Sequence, residues 1–288
     1  MTLLIGWGIV VVSVIAGFMM AGGKPTVLII FSEYLVVGGC AVGFAIGSSP
    51  VGVLKLCITM VLRSMKGSPY SQKTYTELVQ MMYEIFVVGR QQGLVGVESH
   101  VLEPENSPIV SRFPSFLKNK HALEFFMDSM KPVIDGKLKA DQLKSYLDAQ
   151  LVEKDNHAYA PIGIITKVAD ACPALGIVAA VLGIIITMGK VDGPIAEVGM
   201  SVAHALVGTF LGVFLGYGIL QPLAANIEFA NHDELAYYTV IRSGIVAFAS
   251  GASPLTAAEY MRSSIPEDRR IGGDTLESLL KSSQGAPR

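Results

Sequence analysis

Apolar residues gather into four long runs along this chain: Leu3 to Met20, Val27 to Gly47, Val168 to Met188 and Gly199 to Ala225. Each approaches or exceeds the ~20 helical residues needed to cross a hydrocarbon core of ~30 Å. Between the second and third runs, from Pro50 to Lys167, apolar positions recur at helical rather than strand spacing. Val53, Leu54, Leu56, Cys57, Val61 and Leu62 predict one amphipathic helix. Tyr75, Leu78, Val79, Met82, Tyr83 and Phe86 predict another that runs to Gln91, where Gly93 and Gly96 interrupt the pattern. Further helices are expected from His121 to Val133, ended by Pro132, and from Ala140 to Asp155. Ser253 before Pro254 reads as an N-cap and first-turn pair, and the polar chain from Gly272 onwards reads as loosely ordered. The expected fold is all-α: a polytopic membrane protein with four transmembrane helices and a helical cytoplasmic domain. Its expected parts are residues 1–49 (first two spans), 50–167 (cytoplasmic helices), 168–226 (third and fourth spans) and 227–288 (cytoplasmic tail).

Composition agrees with this pattern, for 51% hydrophobic and 16% charged residues with mean hydropathy +0.50 do not describe a soluble globular domain. No Lys or Arg precedes the first run, and its apolar stretch exceeds a signal-peptide core, which favours a retained helix over a cleaved leader. Lys and Arg then set the orientation. Fourteen lie between Pro50 and Lys167 and six after Ala225, while the two remaining connections hold only Lys24 and Lys190. By the positive-inside rule the long loop, the tail and both chain ends face the cytoplasm. A net charge of −2 with interleaved signs gives no nucleic-acid signature. Cys40, Cys57 and Cys172 are too scattered for a metal site and read as reduced thiols. No nucleophile, acid and base cluster, phosphate loop or dinucleotide fingerprint appears, so an enzyme is not expected, nor is a cofactor.

The chemistry on offer sits in the apolar runs. Gly208, Gly212 and Gly216 recur one helical turn apart, and the run from Pro173 to Gly189 is also rich in small residues, so these two helices can approach each other or a partner closely. Ionisable residues inside a bilayer are costly and mark function unless they reach the interface. Glu33, Asp170 and His204 are the candidates, each read near the end of its run, leaving no acid at the middle of the glycine-rich pair. Thr209 lies about 40° around the helix from Ala205, beside the small-residue face. Its hydroxyl either orders water or meets a carboxylate, or bonds back to its own backbone. Pro173 and Pro222, near the cytoplasmic ends of their helices, each remove a donor and favour a kink, as hinges or as plain bends.

The segment Ala205-Leu206-Val207-Gly208-Thr209-Phe210-Leu211-Gly212-Val213-Phe214, followed by Pro222, resembles the signature of MotA-type flagellar stator proteins. Pro173-Ala174-Leu175-Gly176-Ile177-Val178-Ala179-Ala180-Val181-Leu182-Gly183 is similar to that family's preceding helix, and Arg90-Gln91-Gln92-Gly93 followed by Glu98 extends the likeness over nearly the whole chain. The resemblance implies a homo-oligomeric ring, five subunits around two, enclosing MotB-type partners that bind peptidoglycan and carry a membrane aspartate. It further implies a bacterial inner-membrane location amid lipid, and ion passage that makes the cytoplasmic loop push on the rotor protein FliG. Thr209 matches the family's channel-lining threonine, Pro173 and Pro222 its coupling prolines, and Arg90 and Glu98 its rotor-facing charges. Sodium-driven PomA-type relatives carry Thr where Ala180 stands; a methyl group offers a dehydrated sodium ion no ligand, so protons are the expected ion. Related energisers of the ExbB or TolQ type usually have three membrane helices, and a solute transporter would show repeated halves with interrupted helices.

Overall fold

The computed structural model describes residues 2–284, which form helices and turns with no strand among them. In chain order the α-helices are α1 (Thr2–Met20), α2 (Phe31–Gly47), α3 (Val51–Ser64), α4 (Gln72–Leu102), α5 (Pro114–Lys118), α6 (Lys120–Ile134), α7 (Ala140–Met188), α8 (Ile195–Val213), α9 (Gln221–Ala249), α10 (Pro254–Ser264) and α11 (Gly273–Gln284). A π-helical segment, Phe214–Leu220, joins α8 to α9. The chain divides into two compact units, Met1–Gly67 with Ala158–Ala230 and Ser68–His157 with Asn231–Arg288, so α7 and α9 contribute residues to both.

The first unit holds the four apolar spans, with α1, α2, the second part of α7, and α8. Ile5, Ile9, Val12, Ile185 and Ile186 are all more than half exposed, as they should be on helices whose outward faces meet lipid. Inside the unit, Val37 of α2 packs with Ala179 of α7 and Leu211 of α8. Helix α3 is half-buried in the same unit, and its Cys57 thiol contacts the Pro161 carbonyl oxygen at 3.7 Å. Pro161 and Pro173 both lie within α7.

The second unit is built around α4, α6, the first part of α7, and α9 to α11. Its apolar core includes Tyr75, Leu78, Met82, Phe86, Phe126, Leu143 and Ile241, the stripe that helical spacing predicted on α4 among them. Ser71 caps α4 through a reciprocal capping box with Thr74, Asn119 caps α6, and Ser253 accepts from the Thr256 N–H at 3.1 Å before Pro254. Gly93, at φ +74°, breaks α4 into two helical pieces, a conformation that glycine adopts without a Cβ penalty. Pro132 sits in the last turn of α6, which continues to Ile134.

The loosely ordered chain expected after Gly272 is instead helix α11 through Gln284; the final four residues of that expectation lie outside the described residues. Leu276 and Leu280, one turn apart, are buried in the core of the second unit, and that burial orders a segment whose polarity alone suggested a loop.

Candidate functional site: the seam of α7 and α8

Small residues bring α7 and α8 to backbone contact. A methyl group added at Gly176 would stand 2.7 Å from the Gly208 carbonyl oxygen and 3.2 Å from Thr209 Cα. One added at Gly183 would stand 2.7 Å from Ala205 Cβ, and one at Gly216 would stand 2.5 Å from the Ala169 carbonyl oxygen. At Gly212 it would strike the Cys172 carbonyl oxygen. The ladder of Gly208, Gly212 and Gly216 is therefore covered by the protein's own α7. The faces left open are lined instead by Ile177, Val181 and Leu182 of α7 and by Val202, Leu206 and Val213 of α8.

Ala180 and Thr209 both flank this seam: the Ala180 backbone nitrogen lies 3.1 Å from a Cβ built on Gly208, and Thr209 Cα lies 3.2 Å from one built on Gly176. Ala180 is buried and Thr209 half-buried. Thr166 and Thr187 of α7 each donate to the carbonyl four residues back, but among the described residues Thr209 makes no such bond, and its hydroxyl is available to a ligand.

Glu33 stands in the first turn of α2, near the end of its apolar run. Its side chain is 8% exposed, and its Oε2 lies 2.5 Å from a Cβ built on Gly208, some 20 Å along α8 from its first residue. An acid thus meets the first rung of the glycine ladder. The apolar pattern concealed this because Glu33 stands in the first turn of α2 by sequence, while packing of α2 against α8 carries its carboxylate to Gly208. His204 lies one turn before Gly208 on α8 and is half-buried. Asp170 is exposed and accepts a hydrogen bond from Gln221 Nε2 at 2.9 Å.

Pro173 and Pro222 bracket a distortion that periodicity could not announce. Gly216 and Pro173 face each other, with 3.3 Å between Pro173 Cδ and a Cβ built on the glycine. From Phe214 to Leu220 the chain winds as a π-helix, closed by the Gln221 N–H bonding to the Gly216 carbonyl, immediately before Pro222. Such segments mark sites where a helix changes register. Trp7 of α1 donates its indole N–H to the Ile219 carbonyl at 3.1 Å, supplying a partner within the irregular segment. The lone tryptophan in the first apolar run was the available sequence signal.

Arg90 and Glu98 lie in the second unit, on opposite sides of the Gly93 break, and are both exposed. No ion pair joins them among the described residues. Arg90 Nη2 donates to the carbonyl oxygens of Gly251 and Ala252, just beyond α9, where a helix end presents unpaired carbonyls and attracts cations. Gly251, at φ +85°, ends α9 in a Schellman-type turn, with the Ala252 N–H bonding to the Ala247 carbonyl at 3.0 Å. Nearby on α4, burial pushes the His100 imidazole below its ordinary pKa, and its Nδ1 lies 2.8 Å from Ser107 Oγ. Burial raises the Glu84 carboxyl against the opposing pull of its ion-pair partner Arg112.

Four apolar spans and a tight small-residue seam define a polytopic membrane protein. Residues 118–238 match the MotA/TolQ/ExbB proton channel family, and residues 4–93 match the Motility protein A N-terminal family. The chain is 30% identical over 276 residues to chemotaxis protein LafT of Vibrio parahaemolyticus, covering 96% of this chain and 97% of that one. It is 28% identical over 281 residues to motility protein A of Salmonella typhimurium, covering 98% and 95%. The solved structure of C. jejuni MotAB superposes with a TM-score of 0.78 at 22% identity, over 94% of this chain and 98% of that chain. That of the Bacillus subtilis MotAB stator complex gives 0.75 at 21%, over 96% and 98%. The chain belongs to the motility protein A family of the MotA/TolQ/ExbB proton channels.

Proposed function

We propose that this chain is the ring-forming subunit of a flagellar stator in the bacterial inner membrane, with both termini cytoplasmic. Together with a MotB-type partner it couples proton flow to torque on FliG. The observation that carries the reading is the α7–α8 seam, where Thr209, beside Gly208, makes no side-chain hydrogen bond among the described residues and Ala180 supplies only a methyl group. A proton needs a carboxylate and a hydrogen-bonded path; a dehydrated sodium ion needs several oxygen ligands. The membrane aspartate of the partner is the main carrier, and Thr209 orders its approach.

Conformational change follows from the same region. The π-helix before Pro222 lacks a regular α-helical register, so a shift between π and α winding there is a short-range motion that protonation can bias. One charge crossing 100 mV releases about 2.3 kcal/mol. An exposed ion pair is worth about 0 to 1 kcal/mol, so each transit can detach a rotor contact made by Arg90 or Glu98. Five subunits around two partners, the arrangement suggested by resemblance to the family, let such contacts be made in turn.

The test is complementation of a paralysed, flagellated stator-null strain with this chain, with and without the partner, across external sodium concentrations. Swimming is expected only with the partner, to be indifferent to sodium, and to stop with a protonophore. Sodium-dependent rotation would overturn the proton assignment, and failure to rotate with any MotB-type partner would overturn the stator reading.

A further inference from the structure

Glu33 presents an unusual combination within the first unit. It is more than nine-tenths buried, its Oε2 is fully enclosed without a hydrogen-bond partner, and it stands against Gly208, the glycine next to Thr209. An isolated carboxylate in such surroundings is costly unless it is protonated or meets a passing cation. The elements around it offer few alternatives. Helix α8 carries Glu197 in its first turn and His204 beyond it, the apolar run of α7 carries Asp170 and Cys172, α2 carries Tyr34 and Cys40, and Lys24 precedes the Pro25–Leu28 turn. Of these, His204 stands four residues before Gly208 on α8, on the same helix face that meets the Glu33 carboxyl. His204 lies one turn nearer the start of α8 than Gly208, and is half-buried.

We propose that His204 and Glu33 form a proton-exchange station on the outer half of the path, belonging to this chain rather than to its partner. A proton from the outer water binds the free imidazole nitrogen of His204, giving an imidazolium. It then passes to Glu33 Oε2, restoring neutral imidazole and forming the carboxylic acid. Glu33 releases it at the Gly208–Thr209 level to a carboxylate of the partner, regenerating its own anion. No electron moves, and one proton enters and leaves per cycle. Gly208 is the residue that admits the carboxyl, since any side chain there would collide with it.

This station rests on the proton-channel reading, and the experiment separates the two. The complex of this chain with its partner is reconstituted in vesicles, and proton uptake is followed while the outer pH is varied, for wild type, Glu33→Gln, Glu33→Asp and His204→Asn. Infrared difference spectra of the same samples report the protonated carboxyl. Wild-type uptake establishes the channel; its absence would sink that reading and the station with it. With the channel established, Glu33→Gln is expected to lower uptake several-fold and to remove one protonated-carboxyl band, Glu33→Asp to restore part of both, and His204→Asn to alter the outer-pH profile. Subunit assembly by size-exclusion chromatography should be unchanged in all. Wild-type uptake and pH profile in Glu33→Gln, or an unchanged carboxyl band, would overturn the station while leaving the channel intact.

Discussion

Replacing Gly212 by alanine adds one methyl group to the tightest point of the α7–α8 seam. That carbon would strike the Cys172 carbonyl oxygen and lie 2.8 Å from Gly176 Cα and 3.0 Å from Gly176 N, all backbone atoms that cannot rotate away. Restoring ordinary contact requires the helices to part by about 1 Å, which forfeits about half of the dispersion energy of the facing atoms. Overpacking of this kind costs about 1–3 kcal/mol. Glycine to alanine within a helix also gains about 1 kcal/mol from propensity, so the comparison must share that gain. Gly39→Ala on α2 does so, because nothing lies within 4 Å of its added carbon. Relative to Gly39→Ala, Gly212→Ala should be less stable by about 1–3 kcal/mol, read as a lower thermal midpoint in detergent together with reduced swimming in the complemented strain. Equal midpoints and equal motility would refute the claim that backbone contact at this seam is required.

Glu98→Lys should weaken torque under load without changing the melting of the second unit, since Glu98 is exposed; wild-type torque would count against its rotor role. Arg90→Glu should reduce torque and also lower stability by about 1 kcal/mol through loss of its bonds to the Gly251 and Ala252 carbonyls. Unchanged hydrogen exchange at the end of α9 would contradict that second effect. Thr209→Val should impair ion-driven rotation while leaving assembly intact, and wild-type conductance would make the hydroxyl merely structural. The Tyr75 phenol, wholly buried, is pushed up to about 12, chiefly by burial. Because the unfolded chain loses this proton near 10, its contribution to stability is complete below pH 10 and is lost as pH rises through 12. The loss amounts to on the order of 3 kcal/mol. Tyr75→Phe should therefore flatten the alkaline decline in helix content between those values, and an unaltered decline would disprove the assignment.

The apolar runs were legible because bilayer thickness imposes a length that no turn can imitate. The α4 stripe from Tyr75 to Phe86 and the break at Gly93 were legible because both are local: one is a period, the other a missing Cβ. Other features depend on residues far apart in the chain. Arg90 reads as a free surface charge until the turn that closes α9 brings Gly251 beside it, 161 residues later. Glu33 reads as interfacial from its place in α2, and only the packing of α8 moves its carboxylate to Gly208. Pro222 suggested a bend, but the π winding of Phe214–Leu220 also engages Trp7, which lies over two hundred residues away. Leu276 and Leu280 were too few to outweigh a polar segment until the core they enter was present.

Trp7 is the chain's only tryptophan, and its indole hydrogen bond ends on the irregular segment before Pro222. The subunit therefore carries a built-in fluorophore at the point where a change in helical winding would be felt. Emission from the unlabelled subunit is a direct optical readout of that segment, sensitive to the loss of one bond.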